Sequence, residues 1–219
     1  MPDLFIVSKF FEKGNLEQRL HGPGRRKVAF ACACSMARDV AEALAYLHDS
    51  GVVHRDLKPS NILVDEDDRL SVCDFGTARF HGQRTRDFGG TMFYTAPEIL
   101  NATSQANGHL WEKAADVYSF AIVFWEIFHQ KRPFQPEDGV FAGLVDRIIN
   151  GHRDTIDPNL PNEIAELISQ CWAPLPTSRP SCSLSLPELA AWSQRPARAP
   201  PGAWSLEPGA WSPEPPTTA

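Results

Sequence analysis

Residues 52–76, VVHRDLKPSNILVDEDDRLSVCDFG, constrain the fold of this 219-residue chain more than any other stretch. Two short apolar runs, NILV and LSVC, flank the acidic DEDD, and that pattern predicts an antiparallel hairpin with a charged turn. Just ahead of it, eight positions hold His54, Arg55, Asp56, Lys58 and Asn61; Asp74 follows just behind. So many hydrogen-bonding and charged groups beside so small a sheet need a chemical reason.

Bulk properties exclude several answers. Hydrophobic content of 42% and charged content of 22% are ordinary for a globular chain with a core. A net charge of −6 argues against a nucleic-acid-coating surface, which is normally basic. Five cysteines (Cys32, Cys34, Cys73, Cys171, Cys182) form no CxxC pair, and the odd count reads as reduced thiols in an intracellular protein. The N-terminus has neither the basic start nor the apolar run of a secretory signal. The most apolar segment, 117–128, is too short to span a bilayer and carries Glu126. No membrane segment is expected, and a cytoplasmic location follows.

Apolar spacing predicts a short helix at NLEQRL and an Ala-rich one over 28–48 stopped by Gly51. Further helices are predicted at 112–128, about 138–150 and 162–172. LFIV at 4–7 reads as a strand leading into a loop, and 74–98 as a long functional loop. From 194 to 219 the chain turns rich in Pro, Ala and Ser, with the near-repeat GAWSLEP and GAWSPEP, and reads as a disordered tail.

The order HRDLKPSN (54–61), DFG (74–76), APE (96–98) resembles the protein-kinase signature set. The resemblance implies an α+β protein-kinase-like fold: a mainly helical C-terminal lobe with a short β-hairpin, the small N-terminal lobe largely absent. It implies a kinase domain over 1–193 that transfers the ATP γ-phosphoryl group to Ser or Thr hydroxyls of a protein substrate, with Mg²⁺. Asp56 would orient the acceptor hydroxyl, Lys58 would neutralise charge on the moving group, and Thr91 would support both. Asn61 and Asp74 would supply hard oxygen ligands to Mg²⁺ from either side of the hairpin. FIVSKFFEKGNL resembles the family's hinge. It sets Ser8 at the gatekeeper position, backbone groups of Lys9 and Phe11 facing the adenine, and Leu63 beneath it. Asn15 and Cys73 would border the same pocket.

GTMFYTAPE resembles the substrate-positioning end of the activation segment, and DVYSFAIVFWEI the buried central helix, whose Asp116 would bond the catalytic-loop backbone. CWAPLPTSRP is similar to a late family element in which Arg179 pairs with Glu98. Leu175-Pro176 stands there in place of the usual Asp-Pro, and Ala121 where Gly is common. Lys58 with Thr91 is the serine/threonine pattern, and the wording around the central helix resembles the tyrosine-kinase-like branch. His54, Phe75 and Gly76 belong to the structural frame. Arg55 implies control by activation-loop phosphorylation, with Thr85 as the candidate acceptor.

The resemblance begins at the hinge. The phosphate loop, strand Lys and helix Glu of a small lobe have no counterpart in the few residues before FIVS, and GPGRRK (22–27) does not match them. Three readings stay open: a truncated piece of an active serine/threonine kinase, a catalytically inactive interaction module, or a site completed in trans.

Overall fold

The computed structural model describes residues 8–81, 91–101, 112–135 and 141–183, with Leu189 and Ala191. The expected strand at 4–7, Thr85 and the Pro-rich 194–219 lie outside the described residues.

Asn15 opens the first helix, α1 (Leu16–His21). Its side-chain oxygen accepts the Gln18 N–H at 2.9 Å, and the Gln18 side chain accepts the Asn15 N–H at 3.0 Å. This reciprocal cap satisfies two otherwise orphaned donors. Gly14 takes φ +70°, which a side chain disfavours, and so presents its carbonyl to the Val64 N–H at 2.9 Å.

α2 (Phe30–Asp49) starts two residues later than the periodicity suggests. The Gln130 amide holds Val28 on both its backbone groups, each at 3.0 Å, so Val28 is unavailable to the helix ladder. Ala33, Ala37, Val40, Ala41 and Leu44 follow helical spacing and are buried. Gly51 at φ +74° turns the chain into β1 (Val52–Val53).

β2 (Ile62–Val64) pairs antiparallel with β3 (Leu70–Val72) in the register Ile62↔Val72, Leu63↔Ser71, Val64↔Leu70. Asp65 makes the acidic turn: its Oδ1 accepts the N–H groups of Asp67 and Arg69 at 3.0 and 2.9 Å. Those donors hold the Asp65 carboxyl below its ordinary pKa.

The described parts of the expected long loop, 74–81 and 91–98, contain short regular elements that its sequence does not suggest. β4 (Arg79–Phe80) pairs with β1 in a second two-stranded sheet, and 3-10 turns form at Phe75–Thr77 and Met92–Tyr94. Two-residue strands are too short to show a period, and the partner of β4 lies far back in the chain.

α3 (Pro97–Leu100) is a single turn. α4 (Glu112–His129) is buried nearly all round, with Val117, Phe120, Val123, Phe124 and Ile127 at 2% exposure or less. A helix apolar on every face needs cover on every face, and α2 and α6 (Asn162–Cys171) supply two of them. α5 (Leu144–Ile149) begins after Gly143 at φ +71°, several residues inside the expected span of 138–150. All five cysteines are free thiols, and burial pushes Cys34 up to about 12. Among the described residues no helix is long and apolar enough to cross a membrane.

Candidate active site

Asp116 of α4 fixes the loop after β1. It is 1% exposed; Oδ2 accepts the His54 N–H and Oδ1 the Arg55 N–H, both at 2.8 Å. His48, near the end of α2, adds its Nε2 to Oδ2 at 2.9 Å. Arg55 sits at φ +71°, a conformation that persists in a non-glycine residue only where its surroundings over-determine it. The His54 ring accepts the Asp56 N–H on Nδ1 at 3.3 Å, so Nε2 carries the proton and donates to the Cys73 carbonyl at 3.0 Å. One imidazole thereby ties the loop to the far end of the hairpin. Phe75 packs edge-on against it with ring centroids 5.4 Å apart.

Two side chains and one backbone N–H converge on the Asp56 carboxylate. Its Oδ2 accepts from Lys58 Nζ at 2.7 Å and Asn61 Nδ2 at 3.1 Å, and its Oδ1 accepts the Thr91 N–H at 3.2 Å. Lys58 Nζ also donates to Thr91 Oγ1 at 2.9 Å, and Asn61 Nδ2 to the Asp56 carbonyl at 2.9 Å. The carboxylate is therefore held from both edges, beside a cation. Such an arrangement can accept a proton from a hydroxyl and stabilise negative charge developing next to it.

Asp74 stands one residue past the hairpin partner of Asn61, whose carbonyl accepts the Cys73 N–H at 2.9 Å. It takes φ +61°, is exposed, and accepts the Gly76 N–H at 3.3 Å. With the Asn61 amide hydrogens engaged on Asp56, the amide oxygen is its remaining donor atom for a cation. Among the described residues no three His, Cys, Asp or Glu side chains gather into a metal cage. One carboxylate and one amide oxygen suit Mg²⁺, which is commonly held by few protein oxygens together with substrate phosphates.

On the expected nucleotide side, Ser8 and Lys9 are exposed. The Lys9 ammonium lies 5.1 Å from the Phe11 ring centroid and 4.0 Å from Asp65, away from the Asp56 cluster's own hydrogen bonds. The Phe11 carbonyl accepts the Gly14 N–H at 3.1 Å. Leu63 is half-buried and bridged to Asn15. The Asn15 side-chain oxygen is used by the α1 cap, so that helix start competes with the expected nucleotide contact. Cys73 is half-buried, and burial, then the Asp74 charge, raises its thiol pKa, which disfavours the reactive thiolate.

Farther out, Arg179 clasps Glu98 with both terminal nitrogens, at 2.7 and 2.8 Å. It also donates to the carbonyls of Ala173 and Ala114 at 2.9 Å and lies 5.1 Å from the Tyr118 ring centroid. Sequence reasoning missed His48, Asp39 and the group formed by His21, Tyr94 and Glu126. A carboxylate inside an otherwise apolar helix was the available signal for Glu126; His48 and Asp39 lie in an ordinary amphipathic pattern.

A sequence model described as the protein kinase domain matches residues 2–188. A probable LIM domain-containing serine/threonine-protein kinase of Dictyostelium discoideum is 36% identical over 181 residues, 81% of this chain and 26% of that protein. Mitogen-activated protein kinase kinase kinase 7 of Drosophila melanogaster is 34% identical over the same shares. Human receptor-interacting serine/threonine-protein kinase 1 is 35% identical over 80% of this chain and 28% of its own length. The chain belongs to the protein kinase family, among relatives of the serine/threonine type. It spans about a quarter of the length of the curated relatives it matches.

Proposed function

We propose that this chain carries the catalytic loop of a serine/threonine protein kinase, which transfers the ATP γ-phosphoryl group to a Ser or Thr hydroxyl. The observation that carries this reading is the Asp56 carboxylate held at 2.7 Å from Lys58 and 3.1 Å from Asn61. Phosphoryl transfer asks for little covalent help from the protein and depends on positioning and charge. Asp56 receives the hydrogen bond of the incoming hydroxyl, and the contacts from Lys58 and Thr91 keep its oxygens aimed. Lys58 offers positive charge where negative charge builds. Asn61 and Asp74 would hold magnesium, which when bound neutralises the phosphate oxygens. Ser8, Lys9, Phe11, Leu63 and Cys73 would border the base, and residues 1–193 form the domain in this reading.

Two of the relatives from Dictyostelium discoideum are named dual-specificity kinases, so a Tyr acceptor is a fair competitor. The Lys58–Thr91 contact supports a Ser or Thr hydroxyl, and the intact cluster around Asp56 weighs against the inactive-module reading.

The test is phosphate transfer from labelled ATP to Ser, Thr and Tyr peptides by the full-length protein. Asp56→Asn is expected to lower turnover by about 10²–10⁴, and Lys58→Met by about 10²–10³. Asp74→Asn is expected to abolish transfer at low Mg²⁺. Undiminished turnover in Asp56→Asn or Asp74→Asn refutes the assignment.

A further inference from the structure

Glu126 lies in the middle of the apolar α4 at 1% exposure, and the transfer chemistry does not use it. Burying a carboxylate is costly unless both oxygens are satisfied. Here each oxygen is satisfied by a different part of the chain. Oε1 faces His21 Nε2 at 2.6 Å, and Oε2 accepts the Tyr94 hydroxyl at 2.7 Å. The first contact requires the imidazole proton on Nε2. On the second, burial and the Glu126 charge both push the Tyr94 phenol well above its ordinary pKa, so it stays a donor.

The two partners lead to the Asp56 cluster by separate routes. Tyr94 donates its N–H to the Thr91 carbonyl at 2.8 Å, and its own carbonyl accepts the Ser119 hydroxyl at 2.7 Å. Thr91 in turn bonds Asp56 and Lys58. His21 ends α1, whose cap residue Asn15 is bridged to Leu63 on β2, the strand that begins directly after Asn61. Glu17 of α1 adds an exposed pair with Arg132 at 2.6 Å, beyond the end of α4.

We propose that His21 is a positioning residue: through the carboxylate it shares with Tyr94, it couples α1 on the nucleotide side to residues 91–95 on the peptide side. The naming of those sides rests on the proposed function; the coupling itself does not. A segment that pulls its donor away leaves half of a buried carboxylate unsatisfied, and the carboxylate must then turn toward another donor, which disturbs the contact that remains. Apolar side chains would fill the same space without that dependence, and such replacements are often neutral or stabilising. The polar trio therefore gains arrangement rather than stability.

The test uses the full-length protein with His21→Leu, His21→Gln, Tyr94→Phe and the Leu/Phe double variant. His21→Leu is expected to speed amide exchange across 91–95 by about tenfold, as local opening without global unfolding, while α6 is unchanged. Tyr94→Phe does the same, and the double variant is no worse than the more severe single one. His21→Gln, which keeps a donor, restores protection. In transfer assays His21→Leu raises the peptide KM by about five- to tenfold with the ATP KM unchanged. Unaltered exchange at 91–95 in His21→Leu, or additive effects in the double variant, overturns the proposal. If His21→Leu does not fold, Tyr94→Phe decides alone: faster exchange in α1 supports the coupling, and unchanged exchange refutes it. A wild-type protein that transfers no phosphate sinks the proposed function, while the exchange arm still judges the coupling.

Discussion

Arg179 shows how much of this fold rests on single side chains. Its side chain is fully buried, yet it meets the Glu98 carboxylate and three backbone carbonyls. Through Glu98 it anchors α3, the turn that follows the segment carrying Thr91 and Tyr94. Removing one member of a buried pair strands the other, so Arg179→Ala is expected to cost roughly 3–5 kcal/mol. Glu98→Gln keeps an oxygen toward the guanidinium and costs less. Urea unfolding of both variants and their double mutant measures the pair; a loss below one kcal/mol in Arg179→Ala, on the order of an exposed salt bridge, would contradict this account. Asp116 is a similar case with a different reach: besides the His48 ring, its oxygens hold the backbone on which Asp56 is mounted.

At the scale of elements, the hairpin is held from outside as well as by its own ladder. Asp39 of α2 is 5% exposed, and its Oδ2 accepts from Arg69 Nε at 2.8 Å and the Leu70 N–H at 3.0 Å. Asp39→Ala leaves the buried Leu70 N–H without a partner and is expected to destabilise by about 1–3 kcal/mol. It also loosens the turn end of the hairpin, opposite the end that carries Asp74. Unfolding midpoints and amide exchange at Leu70 check both effects, and unchanged protection at Leu70 rules out the anchor. None of this was legible in the sequence, where Asp39 falls on an ordinary helix. What was legible has strong local pattern: the short apolar runs NILV and LSVC, the helical spacing of α2 and α6, and the largely apolar run of α4. The spacing of His54, Asp56, Lys58 and Asn61 pointed to one loop, and the structure brings those residues together. Contacts between distant elements, such as Gln130 on Val28, β4 on β1 and His21 on Glu126, leave no periodic trace. They had to be seen in three dimensions.

For the molecule as a whole, the described groups give stability two separate pH windows. His129 closes α4 with its ring stacked on Trp125 at 4.3 Å, Nδ1 donating to the Trp125 carbonyl at 2.7 Å and Nε2 accepting the Asp157 N–H at 2.8 Å. A second ring proton has no acceptor there, and burial lowers the pKa despite the opposing pull of Asp157 and Asp154. The unfolded chain, with an ordinary imidazole near pH 6.5, therefore binds more protons than the folded one below that value. Stability from this site is intact above about pH 6.5 and falls as pH drops through the lowered folded value. Asp68, held low first by Arg19, and Asp157, held low first by the Asn159 N–H, follow the same sign in a more acid window. Their contribution is present above the ordinary carboxylate range and is lost beneath it. Urea midpoints taken from pH 8 to pH 3 should therefore decline in two steps, and His129→Asn should remove the first and leave the second. A wild-type midpoint that stays level between pH 7 and pH 5 would show that the imidazole does not stay neutral at the end of α4, and with it that the contacts on both ring nitrogens are wrongly assigned.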